Sequence, residues 1–210
     1  MPANGGRRSA TVFDSDTLLI IEWAAAALGV ANIGLLIFRN VWNFPFGMAM
    51  VALYILVFVE AKLYAEAGLQ VFFFAAQAWG WWLWLRAGGD DGQVPVRWLD
   101  NPSRAVWLVV TAALSLNLGW ALHRFTDAAL PYADAGIAGA SVAAQILLAF
   151  RRIENWVIWI AIDIAAIALY LNRELYPTAG LYGGFLVMSL FGLKEWIDAE
   201  RRERSPAVAA

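Results

Sequence analysis

The feature that most constrains this chain is a series of apolar runs, each about 16 to 23 residues long, the length of α-helix that crosses a ~30 Å hydrocarbon core. The runs are Thr17–Phe38, Val41–Val59, Leu63–Leu85, Ala105–Leu122, Ala128–Phe150, Asn155–Leu171 and Leu175–Leu193. Short turns join the first three and the last three. The one long polar connection, Arg86–Arg104, reads as a loop because it carries Gly88-Gly89-Asp90-Asp91-Gly92, Pro95 and Pro102. Of the 210 residues, 61% are apolar and 15% charged, against roughly 45–50% and 25% in a soluble domain. The expected fold is therefore an all-α integral membrane protein of seven transmembrane helices. The polar opening, Met1–Asp16, is expected to be disordered, and the apolar run after it is too long, and lacks the small-residue cleavage site, for a signal peptide.

The same composition removes several function classes. With no cysteine and one histidine, His123, neither a thiolate zinc site nor a histidine-rich metal centre can be built. A net charge of −2 gives no general attraction to nucleic acid. No Gly-rich loop leads into Lys-Ser or Lys-Thr, so nucleotide hydrolysis is not expected. No nucleophile–base pair is present either, so the chain reads as neither an enzyme nor a cofactor carrier. Both lysines, Lys62 and Lys194, stand at helix ends, which excludes a retinal Schiff base deep in the last helix.

Basic residues set an orientation. With seven spans, Arg7, Arg8, Lys62, Arg124 and Arg173 fall on one side; Arg39, Arg86, Arg97, Arg104, Arg151, Arg152, Lys194, Arg201, Arg202 and Arg204 fall on the other. The richer side is expected to be cytoplasmic, with the N-terminus outside and the C-terminus inside the cell membrane.

The chain also repeats itself. At an offset of 112, Val30–Arg39 matches Val142–Arg151 at six of ten positions, and Leu63–Trp84 matches Leu175–Trp196 at eight of twenty-two, including tyrosine, glycine and tryptophan. Between the blocks the register is expected to slip, pairing Ala52-Leu53-Tyr54 with Ala168-Leu169-Tyr170. The organisation predicted is 3+1+3: a first three-helix repeat over 17–85, a cytoplasmic loop over 86–104, a linker helix over 105–122, a second repeat over 128–197 and a cytoplasmic tail over 198–210. An odd linker helix makes the repeats parallel, related by an axis along the membrane normal, and such bundles hold substrates near mid-membrane.

Ionisable groups at membrane depth cost about 2.5–3.5 kcal/mol on insertion scales, so each calls for a reason. Glu22 and Glu66 lie near helix ends, where an interfacial, solvated role competes with a functional one. Asp163 sits mid-span. At 100° per residue, Trp156, Trp159, Asp163 and Tyr170 fall within an arc of about 60°, a face able to stack on a flat ring and hold its positive charge. Hydrogen bonding to a neighbouring helix is the plainer alternative. On the third span Glu66, Gln70 and Gln77 share an arc of about 40°, beside Phe73, Trp81 and Trp84. These amides suit a ribose hydroxyl or a carboxamide, or else bonds between helices. In the second repeat Tyr182 and Ser189 stand where Gln70 and Gln77 stand in the first, an asymmetry that suits an asymmetric ligand.

Several of these segments resemble the PnuC family of vitamin transporters: Trp42-Asn43-Phe44-Pro45-Phe46-Gly47, Leu63-Tyr64-Ala65 with Leu69–Ala76 and Gly80-Trp81, Glu154-Asn155-Trp156 with Trp159, and Leu175-Tyr176 with Trp196. The resemblance covers residues 20–197. It implies a SWEET-like fold, facilitated diffusion without an ion gradient or ATP, and a cytoplasmic kinase that traps the substrate. It implies a substrate among nicotinamide riboside, thiamine, riboflavin and deoxynucleosides, facing Gln70, Gln77, Trp156, Trp159 and residue 163, with Asn155, Tyr182 and Glu66 as further candidates. Nicotinamide riboside carriers of the family resemble this chain with asparagine at the position of Asp163; the aspartate favours a cation, which keeps thiamine in contention and disfavours riboflavin. The reading is a nicotinamide riboside uniporter of the inner membrane, compatible with a homo-oligomer. Alternatives are a thiamine uniporter, a proton-coupled carrier with Asp163 as the proton site, and a receptor that transports nothing.

Overall fold

The structure, a computed structural model, describes residues 14–88, 94–126, 130–172, 174 and 176–204. The expectations for the opening residues, the Gly89–Gly92 turn, the span start at Ala128, the side of Arg173 and the tail past residue 204 lie outside the described residues. Those described form seven α-helices: α1 (Ser15–Ile37), α2 (Asn43–Glu60), α3 (Tyr64–Leu85), α4 (Asn101–Phe125), α5 (Pro131–Ala149), α6 (Glu154–Asn172) and α7 (Tyr176–Arg204). Five of them, α1, α2, α4, α5 and α6, are long and apolar enough to cross a membrane. The other two fall short for a chemical reason. Helix α3 carries two glutamines and four tryptophans, and the uncharged stretch of α7, Tyr176–Leu193, is diluted by four glycines and two tyrosines before the helix runs on into a charged extension that ends at Arg204.

Local chemistry sets the ends. Asp14 and Asp100 cap α1 and α4, accepting the amides of Thr17 and Ser103 at 2.9 and 3.2 Å, the usual N-cap device. The bond from Ser103 holds the Asp100 carboxyl below the ordinary carboxylate range. Helix α4 consequently begins at Asn101, four residues before the expected Ala105. Pro102 sits in its first turn, where a missing N–H is harmless, rather than in the loop. At the other ends, Arg39, Lys62, Arg151 and Glu174 adopt φ of 58–60°. Each reverses the chain tightly; the amides of Arg39 and Asn40 return to Leu36 and Leu35, those of Arg151 and Arg152 to Leu148 and Leu147.

These left-handed residues recur in pairs 112 apart, and so do the helix ends Ile37 and Ala149, Glu60 and Asn172, and starts Tyr64 and Tyr176. The register slip expected between the repeat blocks is therefore absent: equal lengths of chain separate the matched ends, and Phe58, not Tyr54, corresponds to Tyr170. Side chains obey the same spacing. Trp84 Nε1 donates to the Leu148 carbonyl and Trp196 Nε1 to the Leu36 carbonyl, each at 3.2 Å. Asn43 and Asn155 each bond the carbonyl three residues before them, at 2.7 and 2.6 Å. A Cβ on Gly80 would stand 2.7 Å from the Phe44 ring, and one on Gly192 2.5 Å from the Trp156 ring.

Packing follows a closed circuit. Helix α1 packs on α2, α2 on α3, α3 on α5, α5 on α6, α6 on α7 and α7 back on α1, while α4 packs on α5 alone. Six helices thus ring a central space and α4 stands outside. One end of the ring is plugged by Leu36, Phe44, Trp84, Leu148, Ile153, Trp156 and Trp196, together with Val94 and Val96 from the α3–α4 connection. That connection is no plain polar loop. Its amide at Arg97 bonds the Arg151 carbonyl, its carbonyl accepts from Ile153, and the Leu99 amide donates to both oxygens of Glu154, which also pairs with Arg104 at 2.7 Å. Arg39 holds the Val94 carbonyl at 3.2 Å and Glu203 at 2.7 Å.

Candidate functional site

The ring encloses a cavity of about 500 Å³, within the range of small-molecule sites. All six ring helices contribute to its wall and α4 contributes nothing. Helix α6 presents Trp156, Trp159, Ile162, Asp163 and Tyr170 on one face; α3 presents Gln70, Phe73 and Gln77; α7 presents Tyr182, Phe185 and Ser189. The two arcs read from helical spacing thus converge on one space.

Not every candidate reaches it. Glu66 is exposed in the first turn of α3 and does not line the cavity, nor does Glu22, which is also exposed. Asn155 is fully buried but is spent on the turn before α6, bonding the Arg152 carbonyl. Trp84 braces the ring, as described above, and Trp81 packs against the plug. Among the described residues, no group of ligands that could hold a metal ion is present.

The wall is chemically lopsided. Among the described residues, Asp163 is the one lining residue with a formal charge, and no lysine, arginine or histidine shares the cavity. Its carboxylate is 4% exposed and accepts a 3.1 Å hydrogen bond from the Ser189 hydroxyl. A hydroxyl orients the carboxylate without neutralising it, so the cavity favours a cation. Tyr170 and Tyr182 pack ring to ring at 5.3 Å, and Trp156 stands edge-on to Trp196 at 5.7 Å. Across the space Asn32 makes a long 3.5 Å contact to Gln77 Oε1. Gly47 leaves room for that pair; a Cβ there would collide with both amides.

Sequence reasoning missed Asn32, Tyr54, Ser141 and Gln145, which also line the cavity. Asn32 and Tyr54 are each a single polar group on an apolar helix face, and Ser141 and Gln145, one turn apart on α5, carry no charge at membrane depth to draw notice. The spacing of 112 places two of them, Ser141 and Gln145, opposite lining residues of the first half; Asn32 and Tyr54 have no lining counterpart. Positions 112 apart line the wall together as Gly29 and Ser141, Ile33 and Gln145, Val51 and Asp163, Gln70 and Tyr182, Gln77 and Ser189. These five pairs, each with a polar member, all differ, whereas Leu36 and Leu148, and Phe73 and Phe185, line the wall as identical pairs; the bracing residues Asn43 and Asn155, Gly80 and Gly192, Trp84 and Trp196 are identical too.

Comparison with known proteins agrees with this architecture. Residues 19–198 match the family described as nicotinamide mononucleotide transporter. The nicotinamide riboside transporter PnuC of Escherichia coli strain K12 is 28% identical over 214 residues, covering 90% of each chain. That of Neisseria mucosa is 28% identical over 207 residues, covering 91% of this chain and 76% of its own. The crystal structure of the vitamin B3 transporter PnuC superposes with a TM-score of 0.74 at 24% identity, over 91% of this chain and 85% of that one. With a multi-helix membrane architecture, a ring-enclosed cavity and a family match across most of its length, this chain belongs to the nicotinamide mononucleotide transporter family, the PnuC proteins.

Proposed function

We propose that the chain carries nicotinamide riboside across the cell membrane by facilitated diffusion. The observation that carries the reading is Asp163, the single carboxylate among the described residues that line the cavity, where they include several aromatic rings and no basic group. A pyridinium ring stacks on Trp159 or Trp156 and sets its charge toward Asp163, while Gln70 and Gln77 bond ribose hydroxyls or the carboxamide. Tyr182 closes the wall. The names of the PnuC relatives support the substrate class, and the family match supports transport. Glu66 and Asn155 have no contact with the substrate in this reading, since neither lines the cavity.

In the same reading all seven helices cross the inner membrane in a SWEET-like 3+1+3 arrangement of parallel repeats. Support for this comes from the recurrence of helix ends, caps and bracing bonds at a spacing of 112. The N-terminus is outside and the plugged end of the ring cytoplasmic, which follows from the distribution of lysine and arginine. Substrate release then requires the plug to part, and a cytoplasmic kinase traps the product by giving it a charged phosphate.

Thiamine is the second reading, because it too is aromatic and cationic and Asp163 serves it equally. Calorimetry of the purified protein with nicotinamide riboside, thiamine and riboflavin decides between them. Tight binding of nicotinamide riboside alone is expected. Preference for thiamine overturns the substrate assignment, and binding of uncharged riboflavin above both removes the role given to Asp163.

A further inference from the structure

We propose that Gln145 is a specificity-determining residue that reads a carbonyl oxygen on the ring of the substrate; the proposal rests on the preceding assignment of a cationic aromatic nucleoside to the cavity. Gln145 lies on α5 one turn beyond Ser141 and one turn before Leu148, and all three line the cavity. The residue is 7% exposed, and among the described residues no acceptor meets its amide nitrogen. The nearby hydroxyl of Ser141 is turned to the Ile137 carbonyl at 2.8 Å. The lining carboxylate already receives Ser189, and the Gln77 oxygen receives Asn32. A second buried lining donor, the Trp156 indole N–H, is likewise without an acceptor in the protein.

A buried donor left unpaired costs about 1–3 kcal/mol, so an amide is held at this place for something other than the fold. The duplication makes the same point. The corresponding residue of the first half is Ile33, which lines the cavity as well, so an apolar side chain satisfies the packing. The cavity therefore combines one acceptor of positive charge with two spare neutral donors. Its complement is a ring that carries a cation and a carbonyl-type oxygen. A pyridinium carboxamide has both; a thiazolium linked to an aminopyrimidine has the charge and no carbonyl. The terminal amide torsion of glutamine is broad, which lets the NH₂ turn toward such an oxygen without displacing the helix.

The test compares nicotinamide riboside with the riboside of plain pyridinium, identical except for the carboxamide. Titrations of the full purified chain, followed by calorimetry, use the parent, Gln145→Met and Gln145→Ile. Both variants are expected to weaken nicotinamide riboside roughly 5–10-fold, the value of one neutral hydrogen bond, and to change the pyridinium riboside by less than about twofold. Retained binding of the pyridinium riboside also shows that each variant is folded. Equal loss for both ligands, or loss for neither, overturns the role of Gln145 while the substrate assignment stands. If the parent binds neither riboside, the substrate assignment itself fails and this inference with it.

Discussion

Asp163 concentrates the charge of the cavity in one side chain, and its value is best seen by removing that charge while keeping the shape. Asp163→Asn retains an acceptor for Ser189 and loses the attraction for a cationic ring. A hydrogen bond or contact to a charged group contributes about 1.5–3 kcal/mol, so nicotinamide riboside should bind at least about tenfold more weakly, with the protein still folded. Calorimetry checks both, and an unchanged affinity for the cation removes the carboxylate from the site. Trp156 depends on its neighbour in a different way. Gly192 lies flat against its ring, and Trp196 stands edge-on behind it, so the indole has nowhere to retreat. Gly192→Ala should cost about 1–3 kcal/mol by overpacking and lower the melting temperature, whereas Gly184→Ala, with open space around the added methyl, should not. These residues differ in how far the sequence reveals them. Trp156, Trp159, Asp163 and Tyr170 share one helix, so a helical wheel alone collects them. Glu66 shares the wheel position of Gln70 and Gln77, yet the wheel gives a face and not a depth, and one turn nearer the helix start the face has left the cavity. Gln145 shares the cavity-lining part of its α5 face with one other polar group, the small hydroxyl of Ser141, and its position on the wall depends on helices far away in sequence.

Between residues and the whole lie the elements, and here the connection from α3 to α4 departs most from its sequence. Glycines and prolines mark it as a loop, but the alternation Val94-Pro95-Val96-Arg97 puts two valines into the plug, both fully buried. That burial is decided by partners in three other places: Arg39 on the Val94 carbonyl, the Arg151–Ile153 backbone beside Arg97, and Glu154 under Leu99. No local pattern announces such partners. The helices themselves were legible because each apolar run needs only its own residues, and their ends shift by a few residues where caps such as Asp100 intervene. The plug is also where the two halves grip each other, through the reciprocal indole bonds of Trp84 and Trp196. Each should contribute about 1 kcal/mol to the closed arrangement. Because the chain has no cysteine, a single Val94→Cys reports the opening of this end by itself. Trp84→Phe or Trp196→Phe should each raise its rate of thiol labelling severalfold, and the pair together more than either. Labelling that is indifferent to both indoles would mean that the plug does not open at this seam.

At the scale of the whole molecule, the two halves of the six-helix ring share their braces and differ in the polar part of their lining. That difference between the polar groups of the two halves is an asymmetry that suits an asymmetric ligand. The same wall bears on energetics. Among the described residues its charge is a single carboxylate with no basic partner, and a carrier of this kind that moves one cation and nothing else moves one net charge. Its flux must then follow the membrane potential: an elementary charge gains about 2.3 kcal/mol per 100 mV, which corresponds to roughly 50-fold accumulation at equilibrium. In liposomes of the purified chain, an inside-negative potassium diffusion potential should therefore drive uptake of nicotinamide riboside, and a pH gradient clamped at zero potential should not. A proton-coupled carrier with Asp163 as its proton site predicts the reverse dependence on pH. Asp163→Asn separates the two further: the uniporter keeps its response to potential at reduced affinity, while a proton-coupled carrier loses its response to the pH gradient altogether.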